Sequence, residues 1–132
     1  NPVLLKYTRG EDQSPLLRQA VEALRDESFD LSEIVVLSPL AADSAAATTT
    51  DSWLRSVLVQ ADGLHAKKGK IRFSSIQAFK GLEAPAVIVT DLDRVNVPNF
   101  QSVLYVGLTR ATDRVYGLVE KDTGLVGMAG KR

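Results

Sequence analysis

The chain has no cysteine, one histidine and no excess of charge of either sign. Without cysteine there is neither a disulfide framework nor a thiolate metal site, and a reducing cytoplasm is permitted. The lone His65 sits among a glycine and lysines with no second soft ligand beside it, which argues against metal ligation. Sixteen Lys and Arg balance sixteen Asp and Glu, so the overall charge announces no polyanionic partner. No apolar run approaches the length of a bilayer span, and no membrane partner is expected. The start, Asn1-Pro2, lacks both a methionine and a leader pattern, and reads as cut from a longer cytoplasmic protein. A phosphate-gripping loop of the form G-x-x-x-x-G-K-[ST] is also missing, because Gly69-Lys70 runs straight into Ile71.

What is present belongs to one globular domain: 132 residues, 45% of them hydrophobic. Val3 to Tyr7 reads as a short strand. Ser14-Pro15 supplies a cap and a first-turn proline for an amphipathic helix over 15–27, with Leu16, Leu17, Ala20, Val21 and Leu24 on one face. Glu33 to Leu37 is nearly continuously apolar, as in a strand buried on both sides. The alanine- and threonine-rich stretch 38–50 reads as a loop, followed from Asp51 by a weaker helix that buries Trp53, Leu54, Val57 and Leu58. Residues 62–70 form a polar connection. Strands at 71–74, 86–90 and 114–119, with a helix from Pro98 to about Ala111, complete the pattern. The tail over 120–132 is expected to be flexible. Strands alternating with helices indicate an α/β fold around a mostly parallel sheet flanked by helices.

Two segments carry chemistry. In Ser75-Ile-Gln-Ala-Phe-Lys-Gly-Leu-Glu83 a lysine, a glycine and a glutamate follow a parallel strand, where open α/β sheets place ligands. Gly81 lets backbone approach a ligand, and Glu83 has the acceptor a ribose hydroxyl needs. An ordinary strand-turn-strand with a salt bridge accounts for the same residues. In Leu104-Tyr-Val-Gly-Leu-Thr-Arg-Ala111 an apolar helix ends on Thr109 and Arg110. Arg110 either complements the helix C-terminal dipole or aims a permanently charged fork at a transferring phosphate.

Taken together and in this order, the two segments resemble motifs V and VI of UvrD-like superfamily 1 DNA helicases. The Glu33-Ile-Val-Val-Leu-Ser38 strand is similar to the strand preceding the insertion in the same domain. The resemblance spans roughly Val3 to Val119. It implies a single RecA-like (P-loop NTPase-like) domain, the second motor lobe of an ATP-dependent helicase or translocase on single-stranded DNA, of the kind used in DNA repair. It further implies an ATP site, with Mg2+, shared with an N-terminal RecA-like lobe that supplies the phosphate loop and metal carboxylate. Lys80, Gly81, Glu83 and Arg110 are then nucleotide-binding, with Arg110 catalytic as an arginine finger. Ser75 and Gln77, standing where the family usually has threonine and histidine, approach the DNA backbone. The chain alone is expected to be inactive. The competing reading is a degenerate, non-hydrolysing lobe serving as a protein-interaction scaffold.

Val87 to Asp91 imitates a magnesium-binding strand, but without a phosphate loop Asp91 and Asp93 read as loop residues beyond a buried strand. Lys67, Lys68, Lys70, Arg72 and Lys80 form a locally basic stretch, either a solvated face or a phosphate contact. Trp53 and Phe79 read as packing residues.

Overall fold

Ile34, Val35, Val36, Leu37 and Ser38 are all buried, which alternation with solvent would forbid; their strand has protein on both faces. The computed structural model describes residues 2–61, 65–79 and 81–124. Its strands are β1 (Val3–Tyr7), β2 (Ile34–Ser38), β3 (Leu58–Gln60), β4 (Ile71–Ser75), β5 (Ala84–Leu92) and β6 (Ala111–Glu120). They form one sheet in the order β1-β6-β5-β2-β4-β3. Each pairing is parallel, so the α/β class stands and the sheet is parallel throughout. The helices are α1 (Ser14–Asp26), α2 (Ala45–Thr48), α3 (Ser52–Val57) and α4 (Phe100–Leu108).

A parallel sheet must be covered on both sides, and two core clusters do this. On one side Leu17, Ala20, Val21 and Leu24 of α1, with Ala46, Leu54 and Val57, meet Ile34, Val36, Ala86 and Ile88. On the other, Phe100 and Leu104 of α4, with Ile76 and Phe79, meet Val35, Leu37, Val87 and Val89. Period-2 alternation along β2 and β5 therefore sorts residues between two buried layers.

Several boundaries differ from the sequence reading. Ser14 is not the cap of α1. Gln13 holds that position, the Ser14 amide donates to Asp12 Oδ1 at 2.9 Å, and the Ser14 hydroxyl meets Thr49 Oγ1 at 2.6 Å. The loop over 38–50 contains α2, capped by Ser44. Leu58 belongs to β3, a three-residue edge strand too short to show a period. Strand β5 continues through Asp91, which is buried at φ 64° and is not a loop residue. Of the expected tail, 125–132 lies outside the described residues.

Helix α4 lies unusually close to the sheet. A Cβ added at Gly107 would sit 2.6 Å from Val89 Cγ2, and a β-branched side chain has little rotamer freedom with which to retreat. Gly107→Ala should push α4 outward and cost about 1–3 kcal/mol, measured by urea denaturation. A change below about 0.5 kcal/mol would mean the helix does not need this approach.

Candidate functional site

Because β4 and β5 are parallel, the chain leaving the top of β4 must return to the bottom of β5. Residues 76–79 and 81–83 belong to this crossing, with turns in place of a helix among the described residues. The Ile76 amide donates to Ser38 O at 2.8 Å, Phe79 N to Ser75 O and Ile76 O at 3.2 Å each, and Leu82 N to Phe79 O at 3.1 Å. Ala78 N also donates to Ser75 Oγ at 3.1 Å. Gly81 adopts φ 82° with open space where a Cβ would project, so a side chain is disfavoured there by backbone conformation alone.

This crossing separates residues that the sequence places side by side. Ser75 ends β4 at the carboxyl edge of the sheet, where the exposed Gln77 also begins the crossing. Glu83 immediately precedes β5 and is exposed at the opposite, amino edge. The expectation that the whole segment lies at the carboxyl end of a strand is thus corrected for Glu83. Ser38 pairs with Ser75 and Leu37 with Val89, so Ser75 lies level with Thr90. At about 3.3 Å per residue the two edges are roughly 20 Å apart.

Arg110 joins Glu83 at the amino edge. It follows α4 and precedes β6, its amide donates to Gly107 O at 3.0 Å, and its carbonyl accepts from Ala84 N at 2.9 Å. The backbone thereby fixes Glu83 and Arg110 as neighbours across two adjacent strands. The Arg110 side chain is partly exposed, while its Nε is buried without a hydrogen-bond partner among the described residues. Lys80 lies outside the described residues.

The basic stretch divides. Lys67 and Lys68 are exposed ahead of β4, on the edge away from Ser75 and Gln77. Lys70 Nζ donates to Ser56 O at 2.7 Å. Arg72 is 6% exposed and belongs to no solvated face.

The carboxyl edge also holds groups the sequence reading missed. Asp91 Oδ2 accepts from Ser38 Oγ at 2.7 Å, Thr90 Oγ1 at 2.6 Å and Ala45 N at 3.1 Å. Its Oδ1 accepts from Gln13 Nε2 at 2.9 Å. The carboxylate occupies the start of α2 after the β2 loop, where strand-loop-helix folds elsewhere seat an anion. Beside it, Arg9 grips Asp93 with two hydrogen bonds of 2.8 and 2.9 Å and reaches Glu120 at 3.1 Å. This fork holds the Asp93 carboxyl below the usual carboxylate range. Burial pushes the neighbouring Tyr7 phenol up. Tyr7, Arg9, Gln13, Asp91 and Asp93 line a cleft of about 460 Å³. A charged residue just past each of several apolar strands was the available signal, but sequence alone does not say that β1, β5 and β6 are adjacent. Among the described residues no group of three or more His, Asp and Glu side chains could hold a metal ion, and no helix is long and apolar enough to cross a membrane.

Comparison with known proteins converges on the same segments. Residues 70–116, spanning β4, the crossing, β5, α4 and the start of β6, match the family described as UvrD-like helicase C-terminal domain. A 48-residue stretch is 42% identical to the mitochondrial ATP-dependent DNA helicase HMI1 of Saccharomyces cerevisiae, covering 36% of this chain and 7% of that protein. The chain therefore corresponds to a small part of that relative. The fold is similar to the C-terminal domain of a possible DNA helicase from Lactobacillus plantarum WCFS1, with a TM-score of 0.65 at 18% identity over 90% of this chain and 73% of that one. Both motifs thus lie inside the segment that is similar to UvrD-like helicase C-terminal domains, and the α/β fold is shared along nearly the whole chain.

Proposed function

We propose that this chain is the second motor lobe of an ATP-dependent DNA helicase or translocase, and that its amino edge closes an ATP site shared with an N-terminal lobe. The observation that carries the reading is the pairing of Glu83 with Arg110 through the Ala84–Arg110 backbone bond. It sets an acceptor and a permanent cation side by side at one edge, ahead of two parallel strands. Glu83 accepts a hydrogen bond from a ribose hydroxyl. Arg110, whose Nε is already buried and unpaired among the described residues, turns its outer nitrogens to the γ-phosphate. The open space above Gly81 leaves room for the nucleotide, and Lys80 is assigned to the phosphate side. Mg2+ would neutralise phosphate charge, held by carboxylates of the other lobe.

Ser75 and Gln77 contact single-stranded DNA at the carboxyl edge, so one short segment touches both ligands on opposite sides of the lobe. Closure and reopening of the two lobes around ATP then move the DNA contact. No observation favours the scaffold alternative.

Steady-state kinetics on the full-length protein test the division of labour. Glu83→Ala should raise the KM for ATP by roughly tenfold, the cost of one lost hydrogen bond, with little change in the stimulation of turnover by DNA. Gln77→Ala should leave that KM unchanged and reduce the stimulation. Interchanged effects, or none from either substitution, would defeat the assignment of the two edges.

A further inference from the structure

Arg72 is a buried cation on a strand of otherwise apolar neighbours. It lies on β4 between Ile71, which is fully buried, and half-buried Phe73, and is itself 6% exposed. Taking a guanidinium out of water carries a large desolvation cost, and a linear apolar side chain would fill similar volume without it. Beside its other interactions, the arginine offers a planar cationic face. Its Cζ stands 5.9 Å from the centroid of the Phe79 ring, within range of a cation–π contact.

Phe79 is the midpoint of the crossing segment and is 1% exposed. Its amide closes the half-turn that begins at Ser75, and its carbonyl closes the half-turn that leads through Leu82 to Glu83. Fixing this ring therefore fixes both halves of the crossing. The geometry points to Arg72 as a positioning residue: through Phe79 it holds the carboxyl-edge contacts and the amino-edge contacts in one fixed relation, and so couples DNA binding to ATP turnover. This inference rests on the assignment of the two edges made above.

The test measures ATP turnover of the full-length protein with and without single-stranded oligonucleotide, oligonucleotide affinity, and melting temperature. Arg72→Met keeps length and packing but removes the cationic face. It should keep its fold, its DNA affinity and its unstimulated rate, while stimulation by DNA falls by roughly tenfold, the scale of a coupling change. Arg72→Lys should restore part of the stimulation, because an ammonium retains some attraction to the ring. Phe79→Leu, which leaves Arg72 in place, should reproduce the loss. Undiminished stimulation in Arg72→Met overturns the inference. If that variant does not fold, undiminished stimulation in Phe79→Leu overturns it instead. A wild-type protein whose turnover ignores DNA defeats the assignment of the edges themselves, and this inference with it.

Discussion

Replacing Arg110 with alanine should cut ATP hydrolysis by the full-length protein by roughly three orders of magnitude or more, the scale of a lost arginine finger. Charge grows on the transferring phosphoryl group as the reaction proceeds, so a guanidinium beside it stabilises the transition state more than bound ATP. The KM for ATP should consequently change much less than kcat. Lysine should rescue poorly, because a point charge lacks the two-pronged fork. A helix-end arginine with only a dipole role behaves differently: its loss costs at most about 1 kcal/mol of stability and leaves turnover alone. The backbone here makes the distinction clean. Gly107 O and Ala84 N are bonded to the Arg110 main chain, so truncating the side chain preserves the turn. Near-normal turnover at an unchanged melting temperature would remove Arg110 from catalysis.

The second large effect is on stability. Arg9→Ala strands two carboxylates, Asp93 at 3% and Glu120 at 1% exposure, both of which accept hydrogen bonds from Arg9. Breaking a buried ion pair from one side typically costs about 3–5 kcal/mol. Arg9 itself is 41% exposed, and solvent screening lowers the expected cost below that of a fully buried pair.

The pH dependence follows from Asp93. Its folded pKa is depressed, mainly by the Arg9 hydrogen bonds. The associated stability is fully present above the ordinary carboxylate value, about 4, and is lost as pH falls through the lower folded value. Without Arg9 the depression shrinks, so acid unfolding should begin at higher pH in Arg9→Ala than in the wild type. Urea denaturation at neutral and acid pH measures both effects. Equal stability of the two proteins at neutral pH would show that water replaces the arginine without loss.

Much of the fold was legible because burial writes a periodic signal. The five-residue β1 and the 13-residue α1 carried patterns long enough to read, and the unbroken apolar run of β2 announced a sheet covered on both faces. β3 and α2, three and four residues long, are below the length at which any period can appear. A serine before proline suits a cap, whereas the Ser14 hydroxyl is engaged by Thr49 from a distant segment.

The candidate site divides in the same way. Glu83 and Arg110 are candidates through a shared motif order, but their proximity depends on β5 and β6 being neighbours, which is a property of the sheet. Arg72 was grouped with nearby lysines because sequence proximity suggested a common surface. Its strand position, alternating with core residues, puts it inside instead.

The crossing from β4 to β5 has a consequence for chain length. From Ser75 the chain must climb about 20 Å and pass sideways over β2, about 10 Å across, to reach Ala84. The straight gap is therefore about 22 Å, and roughly nine residue steps of up to about 3.4 Å give at most about 30 Å to bridge it. The surplus is what the two half-turns around Phe79 consume. Deleting two residues would draw the segment nearly taut and pull Phe79 from its seat, and deleting three would leave it too short to arrive. A shortened copy of this stretch cannot be accommodated by any choice of side chains. The number of residues between Ser75 and Glu83 is thus itself a constraint, as firm as the identity of any residue within it.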